Sequence, residues 1–205
     1  MLSRKDLEIH LSTITGFDDP KIQLEQYQTP ARVAANLIHR ATLLGDISNK
    51  SVIDLCSGTG ILGIGAALSG ATVTAIEIDS AAISILRENI KKADVALDII
   101  QADIITWLPP NSFDTAILNP PFGIQQKTYK DLDFIVKAIS SATVAYVIVD
   151  GSPSNIKKFP GLLEKHKISV DEFYLDEFPI HNSYFWHTVK HKIHNVMVLR
   201  LTSIV

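Results

Sequence analysis

The chain has 205 residues, 46% hydrophobic and 20% charged, which excludes intrinsic disorder and fits a single domain with a substantial core. One cysteine, Cys56, excludes an internal disulfide and a cysteine-based zinc site, and suits a reducing cytoplasm. A net charge of −3 gives no whole-chain argument for a polyanionic partner, and the opening M-L-S-R-K-D-L-E lacks the apolar stretch of a secretion signal.

In chain order, Ser3 and Asp6 have the spacing of a helix-start capping box, and Leu7, Leu11 and Ile14 follow at helical intervals. Thr29-Pro30 reads as a second helix start, with Thr29 as N-cap and Pro30 at the first helical position. Strands are then predicted over 51–55, 72–77, 97–101, 113–119 and 144–149, with helices near 60–69, 80–92, 131–141 and 154–166. Such alternation implies a mainly parallel, doubly wound α/β sheet with right-handed crossovers. Residues 55–76 carry no charge and could in length cross a bilayer, but five glycines interrupt them. They read as a strand end, a turn, a buried helix and a further strand, with no membrane span. Two last strand-like runs, 169–175 and 193–201, are expected to form an antiparallel pair at one sheet edge, joined by a long connection over roughly 177–192.

The first chemical signal is D-L-C-S-G-T-G-I-L-G at 54–63. Gly58, Gly60 and Gly63 match a dinucleotide-type spacing between a strand and a helix, with Glu77 nineteen residues past Gly58. Asp54, at the strand end, would repel a pyrophosphate but attract an ammonium or a sulfonium. That points to S-adenosylmethionine (SAM). Cys56, Gly58, Thr59 and Gly60 are then the turn residues expected around it. Glu77 suits the ribose hydroxyls, Asp103 could accept from the adenine amine, and Ile104 could pack on the ring. Each acid also has a plain structural role open to it, as a turn cap, a surface acid or an N-cap.

The second signal is N-P-P-F at 119–122. Two prolines stop the strand rigidly, because neither donates to a ladder. The Asn119 side-chain carbonyl and the Pro120 carbonyl can each accept one hydrogen of a planar amine, with Pro121 completing the loop and Phe122 stacking on the target. Gripping both hydrogens as the nitrogen pyramidalises aims its lone pair at a SAM methyl, and no strong general base is needed.

The two motifs together resemble those of a class I SAM-dependent amino-methyltransferase over about residues 50–150. L-E-Q-Y-Q-T at 24–29, with I-G-A-A-L-S-G-A at 64–71, is similar to the methyltransferase-like protein 5 family and its archaeal relatives, which methylate an adenine amine of small-subunit ribosomal RNA. The resemblance implies a Rossmann-like, seven-stranded class I fold, an N-terminal helix and cofactor lid over 1–28, a SAM-binding core over 29–150, and C-terminal strands with an RNA-contact tail over 151–205. It further implies that Gln26, Tyr27 and Thr29 close over the methionine part of SAM, and that S-Y-F-W-H-T-V-K at 183–190 helps to hold RNA. A small zinc-bearing activator subunit, adding a strand beside 97–101, is implied as well. Two positions depart from the family: Cys56 stands where glycine is usual, and V-D-G-S-P-S at 149–154 lacks the usual basic residue.

The tail has its own signature. From residue 178 onward there is no Asp or Glu, while Lys190, Lys192 and Arg200 add positive charge. Tyr184 and its aromatic neighbours beside His187, Lys190 and Lys192 combine stacking groups with cations, as single-stranded RNA contacts do. His187, His191 and His194 have metal-compatible spacing on a helix, but neighbouring β-branched residues favour a strand, so no metal is expected. The competing readings are a protein glutamine methyltransferase, a DNA adenine enzyme, an NAD-dependent oxidoreductase and a non-catalytic SAM-binding subunit. Asp54 and N-P-P-F oppose the oxidoreductase, and the intact N-P-P-F opposes the scaffold.

Overall fold

The computed structural model describes residues 2–109, 112–121, 131–181 and 191–204. Its elements are α1 Arg4–Leu11, a short 3-10 helix Ile22–Leu24, α2 Ala31–Leu43, β1 Ser51–Leu55, α3 Ile61–Leu68, β2 Thr72–Glu77, α4 Ser80–Ala93, β3 Leu97–Gln101, β4 Phe113–Leu118, α5 Asp131–Ser141, β5 Ala142–Asp150, α6 Pro153–Lys165, β6 Ile168–His181 and β7 His191–Ser203. One seven-stranded sheet runs in the order β3-β2-β1-β4-β5-β7-β6. β1 to β5 pair in parallel, and β7 lies antiparallel between β5 and β6. This is the doubly wound architecture that the alternation predicts.

Alternation along each strand feeds two cores. Val52 packs with residues of α1, α2, α3 and α4 on one face, whereas Ile53 and Leu55 pack with residues of α5 and α6 on the other. The uncharged stretch 55–76 resolves into the end of β1, the glycine turn, α3 and β2. Among the described residues no helix is long and apolar enough to cross a membrane.

Three local expectations are corrected. The N-cap of α2 is Pro30, not Thr29, and no side chain caps it. The Thr29 hydroxyl is engaged elsewhere, by Asn119. The antiparallel hairpin is longer than its apolar runs suggest, because the ladder continues as far as His181 opposite His191. β6 is an edge strand, where Pro179 and its missing donor are tolerated. Arg200 is no part of a free cationic face: its Nε lies 2.9 Å from Asp46 Oδ2 and its Nη1 lies 2.6 Å from Asp171 Oδ2. Tyr146 also donates to Asp46, so this cluster ties the turn before β1 to the sheet.

The register sets up the site. Leu55 pairs with both Ile76 and Leu118, so the chain leaves β1, β2 and β4 at one level. The strand order reverses between β1 and β4, which makes this the switch point where open α/β sheets bind ligands.

Candidate active site

At the end of β1 the backbone turns sharply. Cys56, Gly58 and Gly60 all have positive φ, at 57°, 57° and 93°. Glycine adopts this region freely, while Cys56 does so at a cost. A β-carbon on Gly58 would stand 2.9 Å from the tip of the Phe17 ring, so a larger residue would have to displace Phe17 as well as bear the strain of a positive φ. The turn also brings the first turn of α3 onto Asp54. Its Oδ2 accepts from the Gly63 backbone N–H at 2.9 Å and from the Ser57 hydroxyl at 2.7 Å. Asp54 therefore does cap the turn. Its other oxygen, Oδ1, is buried without a partner, and burial pushes the carboxyl up to about 7, helped by the charge of Glu77 and opposed by the two hydrogen bonds.

Glu77 ends β2 with both oxygens engaged by backbone donors: Oε2 by Gly58 at 2.7 Å, Oε1 by Ile78 and Asp79 at 2.9 Å each. Burial still holds it above the usual carboxylate range. These bonds orient the carboxylate and leave it lone pairs for further donors. Asp103 accepts from the Ile105 N–H at 2.9 Å, a local capping bond, and Ile104 beside it is buried.

Residues 15–29 form a strap over these strand ends. Asn89 holds its start by bonding the Thr15 backbone in both directions. Further along, Lys21 Nζ reaches Asp79 Oδ1 at 2.6 Å, and Gln26 Nε2 donates to Asp79 Oδ2 at 2.8 Å. At the end of the strap, the Asn119 amide donates from Nδ2 to Thr29 Oγ1 at 3.0 Å. Asn119 Oδ1 is buried and has no partner.

One cavity collects most of the expected residues. Gln26, Tyr27 and Thr29 line it from the strap, and Asp54, Cys56, Gly58 and Thr59 from the glycine turn. Glu77, Asp103, Ile104, Asn119 and Pro121 complete it from the other strand ends. Gly60 and Pro120 are not in the lining. Gly60 serves packing, since a β-carbon there would fall 2.0 Å from Leu86 Cδ1. Phe122, Tyr184, His187 and Lys190 lie outside the described residues, and Lys192 is described only through its backbone pairing with Ile180. Among the described residues no group of three metal-ligating side chains occurs. Sequence reasoning missed Phe17, Glu25, Ile78 and Phe134, which also line the cavity, and Asp79, which latches the strap. Glu25 and Ile78 adjoin residues already singled out, but nothing in their own spacing marks them.

The strand order, the antiparallel β7 and the glycine-turn cavity at the switch point define a class I methyltransferase fold. The family model described as methyltransferase small domain matches residues 34–147. The rRNA N(6)-adenosine-methyltransferase METTL5 of Danio rerio is 39% identical over 146 residues, covering 69% of this chain and 70% of its own. Its namesake Mettl5 of Drosophila melanogaster is 36% identical over 150 residues, 70% of each chain. The crystal structure of PH1948 from Pyrococcus horikoshii superposes with a TM-score of 0.90 at 33% identity, covering 100% of both chains. The chain belongs to the methyltransferase small-domain family and, within it, to the METTL5 family.

Proposed function

We propose that the protein transfers a methyl group from SAM to the exocyclic amine of an adenine in RNA, with small-subunit ribosomal RNA as the substrate. The observation that carries this reading is the Asn119 amide at the cavity: Nδ2 is held by Thr29, while Oδ1 is buried with nothing to accept from. A buried carbonyl left unpaired is costly, and a ligand N–H is what relieves it. The unpartnered Asp54 Oδ1 fits the ammonium of SAM in the same way. The names borne by the METTL5 relatives support an adenine of ribosomal RNA as the acceptor.

When bound, SAM supplies an electrophilic methyl on a cationic sulfur. In this reading Glu77 orients the donor through its ribose, and Gln26, Tyr27 and Thr29 cover its methionine end. Asn119 Oδ1 accepts one amine hydrogen, and the second is assigned to the carbonyl of Pro120, which stands between the lining residues Asn119 and Pro121 but is not itself in the lining. They hold the nitrogen while it pyramidalises, so that its lone pair rather than its π system meets the methyl. After transfer the surplus proton passes to solvent, and Asn119 never ionises. Phe122 and the tail residues Tyr184, His187, Lys190 and Lys192 are assigned to the RNA by their chemistry: one stacking group by the loop, then an aromatic and cations in the tail.

β3 is an edge of the sheet, and its Leu97, Ile99 and Ile100 are half-buried. We place a small zinc-bearing activator subunit there by strand addition. A fully active, stable monomer refutes that partner. The reaction is placed in the cytoplasm, which the single free cysteine suits. The decisive experiment offers labelled SAM with small-subunit ribosomal RNA, DNA and a release-factor protein in parallel. Label is expected on the RNA adenine amine, whereas label on the protein alone discards the RNA assignment in favour of glutamine methylation.

A further inference from the structure

The buried positions of α4 are Ala82, Ile83, Leu86 and Asn89, an inward stripe at helical spacing whose last member is polar. Asn89 is 1% exposed. Burying an amide costs free energy unless its groups are paired, and a leucine would complete the stripe without that cost. The Asn89 amide is paired, and each of its bonds leaves the helix. Oδ1 accepts from the Thr15 backbone N–H, while Nδ2 donates to the Thr15 and Thr59 carbonyls, all three at 2.9 Å. Both amide hydrogens are thereby used.

Thr15 begins the strap and Thr59 belongs to the glycine turn, so one side chain fastens the strap to the turn. The cavity lies beside this fastening. Thr59 lines it, and so does Phe17, two residues past Thr15. The tip of the Phe17 ring rests so close to Gly58 that a β-carbon there would be 2.9 Å away. Lys21 and Gln26 tie the strap further along, to Asp79.

Asn89 itself is outside the lining, so any influence on a bound molecule passes through the residues it holds. We propose that Asn89 is a positioning residue for the methyl donor: by joining Thr15 to Thr59 it keeps the Phe17 ring over the glycine turn and so retains the donor in the cavity. This inference rests on SAM being the donor.

The test measures how fast labelled SAM leaves the full chain under a chase of unlabelled SAM, for the native protein, N89A, F17A and the double variant. N89A and F17A should each speed departure by about tenfold, and the double variant should exceed either single variant by less than about twofold, because both break one link. Effects that multiply in the double variant overturn the proposal, since Asn89 would then act on the fold at large and not through Phe17. Should N89A fail to fold, N89S, which keeps a hydroxyl donor, takes its place in the same cycle. F17A removes a half-buried ring and leaves the Asn89 bonds intact, so an unchanged departure rate in F17A overturns the proposal whatever becomes of the Asn89 variants. A native chain that binds no SAM strikes the donor assignment itself, which separates that failure from a failure of Asn89.

Discussion

Asp54 and Asn119 leave adjacent strands of the sheet, and each has one side-chain atom anchored and one oxygen buried without a partner. Asp54 is anchored by Gly63 and Ser57, Asn119 by Thr29. The difference between them is charge. Burial makes the Asp54 anion unfavourable until a cation arrives, so in the proposed mechanism the donor half responds to pH. Asn119 is neutral in every state, so the acceptor half can wait for a neutral amine unaffected by pH.

The largest expected effect breaks the acceptor half. Asn119→Ala should lower the rate of methyl transfer by on the order of 100-fold or more while leaving SAM affinity nearly unchanged, because its hydrogen bond strengthens mainly in the transition state. Single-turnover transfer of labelled methyl, beside a SAM titration, measures both. A parallel loss of SAM binding would show that the two halves are one unit.

Next comes the pH response of the donor half. Asp54 is raised to about 7 in the free protein, and a bound ammonium favours its anion, so binding expels a proton. SAM affinity should therefore fall below pH ~7 by up to about tenfold per unit and level off above it, and Asp54→Asn should flatten the profile. Calorimetry in buffers of different ionisation heat detects the released proton. Stability runs in the opposite sense. The contribution of the raised carboxyl is fully present below its ordinary value of 3.8 and is lost as pH rises through about 7.

Thr29→Val sharpens the comparison by releasing the Asn119 amide without touching Asp54. A turnover loss of about tenfold with little change in RNA KM is expected, since only orientation is lost. The smallest effect belongs to the strap. Lys21→Ala removes the ion pair of a half-exposed lysine with the buried Asp79, worth about 1 kcal/mol, and should speed cofactor dissociation by no more than about fivefold, since Gln26 still holds Asp79. Stopped-flow displacement of bound cofactor measures it, and added salt should reduce the gap between native and variant.

The sheet was readable from the chain because its strands are apolar runs separated by helical periodicity, and β1, β2 and β3 fall on the residues predicted for them. β4 stops one residue earlier than expected, at Leu118, and the β6–β7 hairpin outlasts its apolar pattern. Pairing continues through His181 and His191, where cross-strand hydrogen bonds need no hydrophobic side chains. In the cavity, Asp54, Glu77 and Asn119 stand out by position, each at or just past a strand end. Glu25 does not, since an acid beside Gln26 looks like any solvated residue until the strap folds over it.

Residue chemistry and local pattern, both carried by neighbours in the chain, thus determined the fold class, the glycine turn and the amide followed by two prolines. Tertiary structure decided how those residues are used. Thr29 reads as a helix cap and becomes the anchor of an amide 90 residues away, and Arg200 reads as a free cation but is neutralised by Asp46, 154 residues away. Asp54 both caps α3 and leaves its other oxygen buried without a partner. Such roles follow from side-chain hydrogen bonds across the closed sheet, and bonds of that kind have no sequence period, because their partners become neighbours only when the strands align.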